Sequence, residues 1–223
     1  GFRLRIVGIE HSSEFFKKHE SLFVKEVSAA SVVINEDGPE RFTYPFDSVL
    51  VDLVSKYNLP VYIVDSGGWR QVGLDVTQDI IGLSLLRSSV LGINSEGSRR
   101  DFLKRLGKGV TGGYFLTVGL PLSKFVSEKG DSPFLYNAIV DYRNLLMAEN
   151  ISRLSENVSF DKPVPFFVGY AHIFGIQQYL RNPELRLKRL LYCFHDLVSN
   201  TAIRKYEHSN GEWVKTEEIR TWL

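Results

Sequence analysis

The sequence predicts an α/β protein with a mixed, mostly parallel sheet, helices on the faces of that sheet and a β-hairpin at the C-terminal end. Three observations predict this class. Short apolar runs alternate with amphipathic segments through the N-terminal part, which is the pattern of strands joined by helices. A long helical pattern precedes another apolar run in the second half. Finally, Asn210-Gly211 suits a type I′ turn between two strands.

The composition is that of a globular protein. The chain has 223 residues, of which 43% are hydrophobic and 24% are charged, so it can bury a full core. Single α/β domains of this length are common, and we expect residues 1–223 to form one domain. The net charge of +1 gives no reason to expect a nucleic-acid partner. The single cysteine, Cys193, excludes an internal disulfide and a cysteine-based metal cluster.

Apolar runs in this sequence are short. None approaches the roughly 18 residues that a membrane-spanning helix needs. We therefore expect membrane association only through a segment outside this sequence, and the chain as given favours a cytoplasmic location.

The elements of the first half follow from periodicity and from the residues at their ends. Alternating apolar residues predict the first strand, and Ser12 or Ser13 is a suitable N-cap for the helix after it. A polar loop with Gly38-Pro39 separates the second strand from the next amphipathic helix, and Pro60 ends the linker to the third strand. The predicted elements are a strand at 2–9, a helix to Val27, a strand at 31–34, a helix at 46–57 and a strand at 61–64.

The second half is predicted from longer patterns. Residues from about 75 to 128 are helical in pieces, interrupted by glycines and Pro121. A stripe of apolar side chains predicts a long helix from Pro133 to about Val158. After it we expect a strand at 164–168, a helical stretch at 183–198 and the terminal hairpin at 201–219.

Polar residues follow four of the apolar runs. In a parallel sheet the residues after the carboxyl ends of the strands gather at one edge, where ligands bind. His11, Glu36, Asp65 and His172 fall at this position. A glycine stands three residues before each histidine, and we expect it to let the chain turn tightly out of the strand.

Two imidazoles with one or two carboxylates suit a divalent transition metal that keeps positions open for water. Such an ion lowers the pKa of bound water and polarises a carbonyl, which is hydrolytic chemistry. Each residue also has a simpler interpretation. Either histidine could be a helix cap or a hydrogen-bonded edge residue, Asp65 a turn former and Glu36 a solvated loop residue.

Four motifs, in order, resemble those of the TraB/Tiki superfamily (TraB/PrgY-like proteins), whose relatives include erythromycin-esterase-like proteins. Two contain glycine, two residues and histidine; one is a strand ending in glutamate; one is a helix with Arg-Asn followed by Met-Ala-Glu. They are Ile6-Val7-Gly8-Ile9-Glu10-His11-Ser12, Val32-Val33-Ile34-Asn35-Glu36, residues 141–149 (DYRNLLMAE) and residues 167–176 (FVGYAHIFGI).

The resemblance implies a TraB/Tiki-like α/β domain over residues 1–223, with His11, Glu36 and His172 as the metal or catalytic centre and Arg143 beside it. The helical position of Arg143, at the border of the apolar stripe, is compatible with that placement. A structural ion pair with Glu36 or Asp141 is the alternative. Asn144 is expected to point elsewhere, since it lies about 100° further round the helix.

These observations predict a metal-dependent hydrolase that acts on a peptide or ester bond. His11, Glu36 and His172 would bind Mn, Co or Zn or divide ligand and base roles, with Glu36 as the general base if it is not a ligand. Arg143 would orient the substrate. The alternatives are a non-catalytic module that sequesters a peptide or a small-molecule ligand on the same edge, and a haem or another large cofactor bound by the histidines.

Overall fold

The computed structural model describes residues 1–10, 12–36, 45–65, 81, 84–89, 103–112, 134–192 and 202–220. The chain forms two compact units. The first contains residues 1–66, 143–190 and 196–223, and the second contains residues 67–142 and 191–195. The sheet and the candidate site belong to the first unit. That residues 1–223 form one domain stays a prediction.

Strands and helices alternate along the chain, as the sequence predicts. They are β1 (Leu4–Ile9), α1 (Ser13–Ala29), β2 (Val33–Asn35), α2 (Pro45–Lys56), β3 (Val61–Ile63), α3 (Phe134–Asn157), β4 (Val164–Gly169), α4 (Tyr170–Arg181), α5 (Pro183–Tyr192), β5 (Ala202–Ser209) and β6 (Glu212–Arg220). Helix α3 begins in the second unit and continues in the first.

Within the described ranges, six strands form one mixed sheet in the order β1-β4-β2-β3-β5-β6. The first four strands in this order pair in parallel, whereas β5 pairs antiparallel with both β3 and β6. The predicted α/β class, mixed sheet and C-terminal hairpin are therefore confirmed. The carboxyl ends of β1, β2, β3 and β4 meet at one edge, which is where the candidate site lies.

Aromatic packing attaches α1 to the sheet. The predicted capping residue Ser12 accepts a hydrogen bond from the backbone N–H of Phe15 at 3.2 Å, which fixes the start of the helix. From the buried face of α1, Phe16 and Phe23 stack at 4.8 Å between ring centroids, and Phe23 contacts Phe167 of β4 at 5.8 Å. All residues of β4 are buried, so this strand forms the centre of the unit.

The terminal hairpin turns at Asn210 and Gly211, which have φ angles of 53° and 85°. Two consecutive positive φ angles are what a type I′ turn requires, and only asparagine, aspartate and glycine adopt them readily. The predicted turn is confirmed.

Two details differ from the prediction. The chain does not turn out of the first strand at Gly8, because β1 continues to Ile9. The small size of this glycine serves close packing instead, since a Cβ there would lie 2.3 Å from Cδ1 of Ile173 and 2.8 Å from Cε1 of Tyr170. Helix α4, which begins at Tyr170 within the second glycine–histidine motif, was not predicted as a helix. The predicted helical residues 193–198 lie outside the described ranges.

In the second unit, residues 84–89 and 103–112 are helical, as the fragmentary pattern there predicts. The hydroxyl of Ser89 donates a hydrogen bond to the carbonyl of Arg105 at 3.0 Å and joins the two segments. Among the helices that the structure describes, none is both long and apolar enough to cross a membrane.

Candidate functional site

Glu36 is the first residue after β2, and the backbone pairing of the sheet fixes its position. Its N–H donates to the carbonyl of Phe167 in β4 at 3.2 Å, so the ladder continues one residue beyond the strand. Its side chain is only 4% exposed, and Oε2 accepts the backbone N–H of Gly169 at 2.9 Å. The carboxylate therefore lies across the ends of two neighbouring parallel strands.

Arg143 of α3 binds two carboxylates at once. Its Nη2 donates to Oε1 of Glu36 at 2.5 Å and to Oδ2 of Asp65 at 2.7 Å, and its Nε also donates to Oδ2 of Asp65 at 3.2 Å. All three residues are 4% exposed. Asp65, two residues after the end of β3, is thus a buried ion-pair partner rather than a simple turn former. Of the two ion pairs considered for Arg143 from the sequence, the one with Glu36 is present.

His172 lies in the first turn of α4 and is 5% exposed. Its Nε2 is 3.3 Å from Oε1 of Glu36 and 3.4 Å from Nη1 of Arg143. On the other side of the ring, Nδ1 is 2.7 Å from Oδ1 of Asn144. The expectation that Asn144 points away from the site is wrong, because Arg143 and Asn144 reach different edges of the same cluster from adjacent positions on α3.

The surroundings of Glu36 keep it ionised. Burial would raise the pKa of this carboxyl, but the neighbouring imidazole of His172, the charge of Arg143 and the N–H of Gly169 act in the opposite direction and prevail. Together they lower the pKa of Glu36 from 4.5 to about 2. At neutral pH Glu36 is a carboxylate with little tendency to accept a proton.

The structure brings three of the four residues predicted at the sheet edge, Glu36, Asp65 and His172, together with Arg143, and adds Asn144. The signal for Asp65 was its place after a strand, and the signal for Asn144 was its place beside Arg143 in the third motif. His11 lies outside the described residues. Strand β1, which precedes it, ends at Ile9, the register partner of Gly169.

The contacts within the cluster bear on the predicted metal site. In the portion of the chain with described positions, no group of three or more His, Cys, Asp or Glu side chains is arranged to hold a metal ion. The guanidinium of Arg143 lies among Glu36, Asp65 and His172 and already supplies positive charge there. These three side chains alone therefore do not fit a divalent cation. A ligand set that includes His11 stays a prediction.

Comparison of the chain with family models, curated proteins and solved structures gave no match. The likeness to the TraB/Tiki superfamily therefore depends on the four motifs alone. Three of them contribute side chains to the buried cluster: the second gives Glu36, the third Arg143 and Asn144, and the fourth His172.

Proposed function

We propose that this protein is a hydrolase of peptide or ester bonds, with its catalytic centre at the carboxyl edge of the parallel strands. One observation carries the proposal. The imidazole of His172 is 3.3 Å from the ionised carboxylate of Glu36 and 3.4 Å from the guanidinium of Arg143, all within a buried cluster. A base, a group that stabilises its protonated form and a fixed positive charge are the parts that acyl transfer to water requires.

In this proposal His172 is the general base. Its Nε2 takes a proton from water while the water oxygen attacks the carbonyl carbon, and the carbonyl electron pair moves to oxygen. Glu36 is too weak a base for this step, given its pKa of about 2, but its charge stabilises the imidazolium that forms. Arg143 stabilises the oxyanion. Collapse of the intermediate expels the alcohol or amine, which takes the proton back from His172.

The metal-dependent form of the proposal adds His11. Together with Glu36 and His172 it would hold Mn, Co or Zn, and such an ion would supply a water of lowered pKa. The likeness to the TraB/Tiki superfamily supports this form, and the contacts of Arg143 support the form without metal.

The test is a panel of generic peptide and ester substrates, assayed with and without chelator. Replacing the base removes proton transfer, so we expect His172→Gln to lower kcat/KM by about 100- to 10,000-fold. Glu36→Gln should lower kcat more than it raises KM, because the carboxylate acts on the charged state of the ring. His208→Gln, in β5 and away from the site, is the matched control and should keep full activity.

Metal content decides between the two forms. In the metal-dependent form, chelator abolishes the activity, and His11→Ala and His172→Ala each lose the ion by elemental analysis. Full metal occupancy in both variants would exclude these ligands. If His172→Gln hydrolyses the active substrates as fast as the unaltered protein, the proposed centre is wrong.

A sequestering module is the second candidate, and one observation favours it. Both oxygens of Glu36 already accept hydrogen bonds within the cluster, and Arg143 is paired with two carboxylates, so the cluster is satisfied without a ligand. This candidate predicts no hydrolysis of any substrate in the panel, together with saturable binding of an intact peptide or small molecule by calorimetry.

A further inference from the structure

We infer that Asn144 is a positioning residue for His172. Its amide oxygen holds the ring hydrogen on Nδ1 and so leaves the lone pair on Nε2, the atom that faces Glu36 and Arg143. The inferred arrangement of the ring does not depend on the reaction, whereas the effect of Asn144 on catalysis rests on the proposed function.

Two of the three polar contacts of the ring favour this tautomer, and the third, Oε1 of Glu36 at 3.3 Å from Nε2, already accepts a hydrogen bond from Nη2 of Arg143. An amide oxygen can only accept a hydrogen bond, so the 2.7 Å contact between Oδ1 of Asn144 and Nδ1 of His172 requires a hydrogen on Nδ1. A guanidinium can only donate, so Nη1 of Arg143, at 3.4 Å, faces a lone pair on Nε2. Nε2 is therefore the atom available to bind a proton or a metal ion.

Gly175 provides the space for the Asn144 amide. It lies three residues after His172 in α4, and a Cβ at this position would be 2.1 Å from Nδ2 of Asn144 and 2.8 Å from its Cγ. Asn144 is 3% exposed, so its side chain has little freedom to move aside. The second glycine of the fourth motif thus leaves room for the side chain of Asn144, which orients His172.

The opposite placement of the amide gives a different site. Nδ2 would then donate to Nδ1, the ring hydrogen would be on Nε2, and Nε2 would donate to Oε1 of Glu36 across 3.3 Å. In that arrangement Nε2 would have no lone pair for a proton or a metal ion. The two arrangements therefore predict different protonated nitrogens.

Nitrogen NMR of protein labelled with ¹⁵N-histidine distinguishes them. The signals of His172 are identified by their absence in His172→Asn. We expect the neutral ring to carry its hydrogen on Nδ1 in the unaltered protein and, in Asn144→Ala, to shift it towards Nε2, where Glu36 accepts it. A hydrogen on Nε2 in the unaltered protein, or the same tautomer in Asn144→Ala, would overturn the inference.

Gly175→Ala is the companion variant, since it displaces the amide without altering Asn144 or His172 chemically. It should change the tautomer as Asn144→Ala does. In the double variant that combines Asn144→Ala with Gly175→Ala, the second substitution should have no further effect, because the amide that the new methyl group would overlap is absent. Because the double variant avoids that overlap, it remains measurable even where Gly175→Ala alone fails to fold. Additive effects of the two substitutions on the tautomer would contradict the assigned role of Gly175.

The proposed function adds a kinetic expectation. Asn144→Ala should lower kcat by about 10- to 100-fold with little change in KM, because Asn144 acts through the ring. If the tautomer changes as expected while no variant or unaltered protein hydrolyses any substrate, the positioning role stands and the hydrolase proposal fails. If hydrolysis depends on His172 but the tautomer is insensitive to Asn144, the hydrolase proposal stands and the positioning role of Asn144 fails.

Discussion

At the scale of single residues, the cluster has more negative than positive charge when His172 is neutral. Glu36 and Asp65 contribute two carboxylates, and Arg143 contributes one guanidinium that binds both. Buried charges are tolerated only when they are paired and their remaining hydrogen-bonding capacity is satisfied. The single guanidinium of Arg143 therefore serves both carboxylates of this buried cluster.

The lowered pKa of Glu36 makes stability depend on pH. Its folded-state pKa lies below the unfolded value, so ionised Glu36 stabilises the fold fully above pH 4.5, and this contribution is lost as the pH falls towards about 2. The shift corresponds to about 3 kcal/mol. Glu36→Gln lacks this carboxyl and so lacks this pH-dependent contribution. The amount by which the unfolding free energy of the unaltered protein exceeds that of Glu36→Gln should therefore decrease by about 3 kcal/mol as the pH falls from 4.5 towards 2.

Denaturant unfolding at several pH values between 2 and 6 measures this difference. A hydrogen bond lost in the variant adds an offset that does not vary with pH, so only the slope is informative. A difference between the two proteins that is constant over the whole range would show that Glu36 is not held ionised by its neighbours.

At the scale of elements, a second buried carboxylate joins α5 to α3. Glu149 is 4% exposed and accepts from Nε of Arg153 at 2.9 Å, while its other oxygen lies 3.0 Å from Nε of Arg186. Arg186 also donates from Nη2 to the hydroxyl of Ser152 at 2.9 Å. Glu149 closes the Met-Ala-Glu part of the third motif, so one motif supplies both a site residue and a structural one.

The contribution of this connection can be measured with Arg186→Met, which keeps most of the apolar stem and removes the charged donors. Bonds to a charged group contribute more than neutral ones, and we expect unfolding free energy to fall by about 2 kcal/mol. Lys188→Met, on the exposed side of α5, is the control and should stay within about 0.5 kcal/mol. If the two variants had equal unfolding free energies, the ion pair between Glu149 and Arg186 would not contribute to stability.

Most elements could be predicted from the sequence because their signals are local. Ser12 marks the start of α1, and Asn210-Gly211 marks the turn of the hairpin, each within a few residues of the feature it predicts. Helix α4 was missed because the strand before it leads into it without a loop: Gly169 ends β4 and also caps the helix. Its buried residues, which include Ile176 and Tyr179, are the periodic signal that could have found it.

Contacts within the site were less predictable, because they depend on how distant elements pack. The position of Asn144 on its own helix indicated nothing about His172, which is 28 residues away on another helix. The same holds for Asp65 and Arg143, separated by 78 residues. Sequence patterns predicted which residues lie at the sheet edge, whereas the partner of each side chain required the packed structure.

At the scale of the whole molecule, the site and the sheet are completed by the same strand. Strand β4 lies between β1 and β2, although it follows them by more than a hundred residues in the chain. It supplies the carbonyl that accepts from Glu36 and the N–H that donates to it. Helix α4 then carries His172 to the same edge. Strand β4 therefore gives Glu36 and His172 a common support, in addition to their shared contacts with Arg143.

This arrangement predicts which backbone amides are most protected. Strand β4 is buried throughout and paired on both sides, so its amides in Phe166 and Val168 should exchange with solvent only when the first unit unfolds globally. Among the strands that the structure describes, β6 pairs only with β5, and it is largely exposed, so its amides should exchange through smaller openings. Native-state hydrogen exchange by NMR gives both free energies, and denaturant unfolding gives the global value for comparison. If β4 amides exchanged as readily as those of β6, the central strand would open independently, and the site would lose its support without unfolding of the unit.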